Sequence, residues 1–94
     1  MYVPKELAPL FWDTDLTSFD PHQYPDYTIF RVLEHGDSDA MKWLEISFRR
    51  DEICRVLRSE RRLTPKSANF WALVYGVPPE EVAALQAAPD PKVA

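Results

Sequence analysis

The chain has 94 residues, a formal net charge of −4 at pH 7, 46% apolar residues and a single cysteine. This length allows one domain, 1–94, with one modest core and little room for a deep catalytic cleft, and the apolar content argues against disorder. One cysteine excludes an internal disulfide. The start, MYVPKELAPL, lacks a signal-peptide pattern, and no stretch reaches about 20 apolar residues, so we expect a soluble cytoplasmic protein without membrane contacts.

Residues 1–19 predict an irregular arm, because two prolines interrupt any long helix there. A first helix is predicted next, with two competing starts at Asp20-Pro21 and Tyr24-Pro25, since proline is favoured at the first helical position. Gly36 is expected to end this helix. Its predicted buried face carries Ile29, Phe30 and Leu33, with Asp26, Arg31 and Glu34 elsewhere.

Three further helices are predicted from capping residues and apolar spacing. Asp37 or Ser38 caps the second helix, and the third begins near Asp51. Thr64 caps the fourth, which starts with proline and closes at Gly76. The apolar residues expected in the core are Ala40, Met41, Leu44 and Phe48 in the second, Ile53, Val56 and Leu57 in the third, and Phe70, Trp71 and Val74 in the fourth.

A short last helix is predicted from Pro78-Pro79, followed by a frayed tail, 87–94. No strand pattern competes with the helical ones. The sequence therefore predicts an all-α, compact bundle of four to five short helices, with 20–86 as the helical core between the irregular N-terminal arm and the tail.

No group of residues predicts catalysis, a metal site or a cofactor. Asp13 and Asp15 lie in the arm without a glycine-rich phosphate loop, so solvated acids beside a buried Trp are the favoured interpretation. His22, His35 and Cys54 are too dispersed for a metal site, and no nucleophile has an evident base. We expect Cys54 to be a partly buried, inert thiol and the protein not to be an enzyme.

Charge is distributed unevenly along the chain. Residues 1–39 hold two basic and eight acidic side chains, net −6, whereas 49–66 hold seven basic and three acidic ones, net +4. The basic block indicates either a face for an anionic partner or a surface on which the acidic part folds back. The candidate DNA-binding residues are Arg49, Arg50, Arg55, Arg58, Arg61, Arg62 and Lys66.

The second and third helices, joined by a short turn, predict a helix-turn-helix-like hairpin in which the third helix reads DNA. If the fourth helix read DNA instead, its exposed side would carry only Lys66, Asn69 and Leu73, which is little for base recognition. A trihelical unit of this kind also occurs in proteins that touch no DNA, and an exposed arginine stripe is most often a solvated face.

Aromatic residues exceed what so small a core encloses, and aromatic side chains are enriched at protein interfaces. A protein partner or self-association is therefore a hypothesis, and the alternative is that the arm covers the chain's own body. The candidate partner-binding residues are Phe11, Trp12, Asp13, Asp15, Phe19, Tyr24 and Tyr27.

Three strings, LAPLFWDTD, RVLEHGDSDAMKWL and SERRLTPKSANFWALVYGVP, together resemble a family of small uncharacterised bacterial proteins. The likeness runs from about Leu7 to Val77. Members look like partners of nucleotidyltransferase toxins of the AbiEii type. The resemblance implies an antitoxin that neutralises a cognate toxin and also binds operator DNA to repress its own operon. The alternative function is a stand-alone, dimeric, helix-turn-helix-like transcriptional regulator.

This chain departs from the family pattern at two places. Ser47-Phe48 stands where the family often has a tyrosine-glycine turn, which weakens the helix-turn-helix interpretation. Glu60 separates the serine from the two arginines that follow it. In the antitoxin hypothesis, the acidic, aromatic N-terminal part covers the basic nucleotide-binding groove of the toxin, and the basic middle part lies on the operator.

Overall fold

The computed structural model describes residues 3–11, 14 and 19–86. Within these ranges all regular structure is helical, which confirms the predicted all-α class. No helix of the described residues has both the length and the apolar content to span a bilayer. The α-helices are α1 (Pro25–His35), α2 (Ser38–Ser47), α3 (Arg50–Ser59) and α4 (Pro65–Tyr75), and 3-10 helices cover Lys5–Phe11, Pro79–Glu81 and Ala83–Leu85.

The first helix begins at Pro25, the later of the two predicted starts. The carboxylate of Asp20 instead accepts a hydrogen bond of 2.9 Å from the backbone N–H of His22, which closes a turn ahead of the helix. Gly36 follows the helix in an extended conformation, φ −79° and ψ 160°, and not in the left-handed one typical of a C-terminal glycine. Glycine is needed there for space, because a Cβ would lie 2.6 Å from the carbonyl oxygen of Val32.

The predicted caps of α2 and α4 are confirmed. The Asp37 carboxylate accepts a hydrogen bond of 2.9 Å from the backbone N–H of Ala40. The Thr64 hydroxyl accepts one of 3.3 Å from the backbone N–H of Ser67. Gly76 closes α4 with φ 66°, a left-handed conformation that a side chain disfavours.

The third helix begins at Arg50, in agreement with the predicted start near Asp51, and the carboxylate of Glu52 accepts the Arg49 backbone N–H at 3.2 Å. The helix ends at Ser59. Arg62 therefore lies outside α3 and does not extend the exposed side of this helix that carries Arg55 and Arg58.

The core lies where α1 packs against α2, α3 and α4, and the 3-10 helix Ala83–Leu85 covers the other side of α3 and α4. The predicted apolar faces of α2 and α3 are confirmed. The buried residues of these faces are Ala40, Met41, Leu44, Phe48, Ile53, Val56 and Leu57.

Within the predicted N-terminal arm, Lys5–Phe11 forms a short 3-10 helix that packs against α1. Leu7 and Phe11 from this helix are buried in the core. The prolines exclude a long α-helix, but a short 3-10 helix remains accessible, and burial of two apolar side chains offsets the cost of ordering it. The predicted tail, 87–94, lies outside the described residues.

The orientation predicted for α4 is wrong. The helix turns its small residues inward, so that Ala68 and Ala72 are fully or almost fully buried, together with Tyr75. Phe70 and Val74, which were expected in the core, are 55% and 50% exposed. The single last helix is likewise replaced by the two short 3-10 helices after α4.

Candidate nucleic-acid and partner-binding surfaces

Four of the seven candidate DNA-binding residues are paired with carboxylates. Because the arginine of each pair is exposed, each pair contributes little to stability, but each neutralises a charge that a phosphate would otherwise meet. Asp26 is the one partner among them from the acidic first third of the chain. The nitrogen–oxygen distances are 2.7 Å for Arg55–Asp26, 3.1 Å for Arg58–Glu81, 2.6 Å for Arg62–Glu60 and 3.5 Å for Arg49–Asp51.

Two of these pairs shift the pKa of the carboxyl group. Hydrogen bonds from the Arg55 guanidinium lower the pKa of Asp26 below its ordinary value. The guanidinium of Arg62 lowers the pKa of Glu60 in the same way. Since a lowered pKa keeps a carboxylate ionised to lower pH, both pairs persist at neutral and mildly acidic pH.

Three of the candidate residues, Arg49, Arg50 and Arg58, line one shallow groove beside the start of α3. Arg50 also contacts α4: its Nη2 donates to the Tyr75 carbonyl oxygen at 3.3 Å, and its guanidinium lies 5.0 Å from the centre of the Tyr75 ring. This cation therefore caps the carboxyl end of α4. Burial raises the pKa of Tyr75 to about 12. Cys54 lines the same groove as a buried free thiol.

The remaining candidates lie elsewhere, so the structure does not gather all seven into one surface. The Arg62 guanidinium stacks over Phe30 of α1, 4.5 Å from the ring centre. Arg61, in the connection after α3, and Lys66, in the first turn of α4, are exposed. Across the described ranges, neither forms an ion pair. The DNA-binding role of the set stays a prediction.

The candidate partner-binding aromatics divide between the core and the surface. Phe11 is 1% exposed, and its ring centre lies 5.7 Å from that of Phe19 and 6.1 Å from that of Tyr27. Phe19 stacks on Tyr24, which is 56% exposed. Phe11 thus belongs to the chain's own core, whereas Tyr24 presents an aromatic face to solvent. Trp12, Asp13 and Asp15 lie outside the described residues.

Tyr27 is held in place by its hydroxyl. It accepts a hydrogen bond of 3.0 Å from Nε of Arg31 and lies 2.7 Å from the Thr14 hydroxyl. Arg31 was expected off the buried face, yet it is 6% exposed because its guanidinium covers the Tyr27 ring.

The outer face of α4 is a candidate surface that the sequence reasoning missed. Phe70, Leu73 and Val74 are 55%, 83% and 50% exposed on one side of this helix. Ala68 and Ala72, four residues apart, offer a small, apolar inner face, but the other side of the helix is apolar as well, so this spacing alone does not determine which side faces the core.

Several residues in the strings that carry the family resemblance attach α4 to α1. The carboxylate of Glu34 accepts hydrogen bonds from the Thr64 backbone N–H at 2.7 Å, the Thr64 hydroxyl at 2.9 Å and the Ser67 hydroxyl at 3.0 Å. The indole N–H of Trp71 donates to the Leu33 carbonyl oxygen at 2.6 Å. These residues stabilise the fold.

A search of the part of the chain that the structure describes finds no group of three or more His, Cys, Asp or Glu side chains placed to hold a metal ion. The open grooves are lined mostly by apolar and arginine side chains.

Comparison with known proteins gives one match. The model of a family of unknown function, DUF6922, matches residues 6–57, which run from the N-terminal 3-10 helix into α3. No curated protein and no solved structure matches the chain. The matched segment contains α1 and α2 and most of the arginine groove at the start of α3, but not α4.

Proposed function

We propose that this chain, which belongs to the DUF6922 family of unknown function, is an antitoxin that binds and neutralises a nucleotidyltransferase-type toxin and performs no reaction itself. The three sequence strings between Leu7 and Val77 resemble those of proteins that look like partners of nucleotidyltransferase toxins. This resemblance supports a toxin of that type as the partner. The paired arginines support a protein partner over DNA, because they leave little free positive charge along α3.

The observation that carries this proposal is the exposed aromatic face at the start of α1. Tyr24 is 56% exposed and stacked on Phe19, and the carboxylate of Asp20 lies close to it along the chain, whereas that of Asp26 is paired with Arg55. A nucleotidyltransferase must present a positive groove to the phosphates of its nucleotide. An aromatic surface beside an acid is complementary to such a groove, and Tyr is enriched among interface hot spots.

A point substitution tests this face. Tyr24→Ala is expected to raise the Kd for the toxin at least tenfold, about 1.4 kcal/mol, because it removes an exposed ring without touching the core. Isothermal titration calorimetry with a nucleotidyltransferase-type toxin encoded beside this gene gives the Kd. A growth assay in cells expressing both proteins reports neutralisation.

The matched control for Tyr24→Ala is Ile46→Ala, which removes a side chain that is 85% exposed on α2. It is expected to bind the toxin as well as the unchanged chain does. Failure of the unchanged chain to bind the toxin would refute the antitoxin proposal. Binding that survives Tyr24→Ala would refute only the assignment of this face.

A second candidate function, operator binding as an autorepressor or as a stand-alone regulator, is favoured by the groove with Arg49, Arg50 and Arg58. The groove lies at the start of α3, where the helix dipole and the backbone N–H groups attract anions. A DNA phosphate entering the groove would compete with Asp51 and Glu81 for two of the three guanidinium groups. Weak, salt-sensitive binding is therefore expected.

The salt dependence of DNA binding tests the second function. Each phosphate contact contributes about 0.9 to the slope of log K against log salt concentration. Arg49→Ala should therefore reduce the slope by about one unit in fluorescence anisotropy with operator DNA. Arg50 is a poor choice for this substitution because it caps α4 through the Tyr75 carbonyl.

Lys42→Ala serves as the control for the DNA experiment, because Lys42 is exposed on α2 beside Asp39 and away from the groove. It should leave the slope unchanged. Absence of binding at low salt would exclude the operator role and leave the protein partner alone.

A further inference from the structure

The fourth helix has its large and small apolar residues on the opposite sides to those expected of a helix in a monomer. Its inward face is Ala68, Ala72 and Tyr75, and its outward face carries Phe70 and Leu73, with Val74 beside them. Single exposed apolar residues are ordinary, but three on one face of an 11-residue helix form a patch of the kind that marks an interaction site.

The outward residues have the spacing of a helix-packing seam. Lys66, Phe70, Leu73 and Val74 occupy positions i, i+4, i+7 and i+8, which fall on one side of an α-helix. This spacing favours a second helix as the occupant, since ridges formed by residues three and four apart fit the grooves of another helix.

Grooves lie on both sides of the projecting side chains of Phe70, Leu73 and Val74. One is lined by Ala72, Gly76, Val77 and Pro78, and the other by Leu33, Ser67 and Trp71. An interface between two identical copies related by a two-fold axis needs both the projecting and the receiving part on one surface. The face of α4 meets that requirement.

We propose that the outer face of α4 binds α4 of a second copy of this chain in antiparallel orientation. Lys66 is the one charged residue among the four outward positions 66, 70, 73 and 74. Parallel helices would place the two lysines opposite each other. Antiparallel helices separate them by up to the length of α4, about 16 Å, which exceeds the Debye length of about 8 Å at physiological ionic strength.

The carboxyl end of each α4 already carries the Arg50 guanidinium, which donates to the Tyr75 carbonyl oxygen. The antiparallel orientation is therefore favoured by the distance between the two lysines, and not by an attraction between each lysine and the helix dipole.

The size of the patch sets the expected strength. Phe70, Leu73 and Val74 together expose roughly 300 Å², whereas a stable interface buries about 800 Å² per partner. Even with the flanking grooves, the contact falls short of a permanent dimer. The expected state is a reversible dimer with a Kd on the order of tens of micromolar.

Sedimentation equilibrium over a concentration series tests the proposal. The unchanged chain is expected to move from monomer to dimer as concentration rises, and Leu73→Glu is expected to raise the dimer Kd at least tenfold. Ile46→Glu makes the same chemical change at an equally exposed residue of α2 and is expected to dimerise normally. Circular dichroism of both variants checks that the helices remain. We expect them to remain, because the Leu73 side chain is 83% exposed and its replacement does not disturb the core.

Cysteine cross-linking reports the orientation. Lys66→Cys is expected to form little intermolecular disulfide on oxidation, because the two positions lie at opposite ends of an antiparallel pair. Efficient cross-linking would overturn the antiparallel arrangement. A chain that stays monomeric at millimolar concentration, or a dimer that Leu73→Glu does not weaken, would overturn the proposal. If the unchanged chain is monomeric and Leu73→Glu abolishes its binding to the toxin, the dimer proposal is also overturned, and the outer face of α4 is assigned to toxin binding.

Discussion

Replacing Phe11 with Ala is expected to lower the free energy of unfolding by about 3–5 kcal/mol, the range for removing a buried aromatic side chain. The ring is 1% exposed and lies against the rings of Phe19 and Tyr27, so truncation leaves a cavity between the N-terminal 3-10 helix and α1. Domains of this size are stable by about 5–15 kcal/mol, so the variant loses a large share of its stability. Urea unfolding followed by circular dichroism measures the change.

Tyr24→Ala is the matched control, because it removes a ring from the same aromatic cluster. Tyr24 is 56% exposed, so this change is expected to cost no more than about 1 kcal/mol. Equal stability of Phe11→Ala and the unchanged chain would contradict the burial of Phe11 and make it available to a partner.

The burial of Leu7 and Phe11 also limits how the N-terminal part of the chain can be tested. Deleting 1–19 removes Leu7 and Phe11 from the core, so a deletion that loses toxin binding would reflect unfolding as much as a lost contact. Substitutions at exposed positions such as Tyr24 separate the two causes.

Local signals predicted much of the fold. Asp37, Thr64 and Gly76 determine helix ends through hydrogen bonds or dihedral angles within a few residues, so their roles could be inferred from neighbouring sequence. The buried faces of α2 and α3 were also predictable, because their apolar residues recur at three- and four-residue steps on one side only.

The orientation of α4 could not be predicted by the same reasoning, because the helix is apolar on two sides. Its rotation is determined by contacts with residues 30 or more positions earlier in the chain. Glu34 binds Thr64 and Ser67, and the Trp71 indole binds the Leu33 carbonyl. A periodicity argument contains no information on such long-range hydrogen bonds, so it placed the largest side chains inside.

The pairing of charges in the candidate DNA-binding site also depends on contacts between residues far apart in the chain. The basic block between 49 and 66 was evident, but the position of each counter-ion depends on the fold. Asp26 reaches Arg55 from the start of α1, and Glu81 reaches Arg58 from the 3-10 helix after α4. Charge counts over stretches of sequence left open whether the basic block is a free positive face or is covered by acids, and in the fold four of its seven cations are paired with carboxylates.

The two glycines of the chain allow a direct comparison of packing with backbone strain. Gly36→Ala is expected to cost about 2–3 kcal/mol, because inserting a methyl group into a tight site forces the backbone apart. The new Cβ would lie 2.6 Å from the Val32 carbonyl oxygen and 3.0 Å from the Cβ of Ala40. That carbonyl accepts the Gly36 N–H at 2.8 Å, and Ala40 is fully buried, so neither neighbour can move freely.

Gly76→Ala is the control, because at this position the expected loss of stability comes from backbone conformation and not from a steric clash. A Cβ at Gly76 would have open space within 4 Å, but the φ of 66° is left-handed, so the expected cost is about 1–2 kcal/mol from backbone conformation alone. Thermal and urea unfolding of both variants gives the two values. If Gly36→Ala proved milder than Gly76→Ala, the close approach of α1 and α2 at Gly36 would be contradicted. The stability of this small bundle would then depend less on that junction than its geometry indicates.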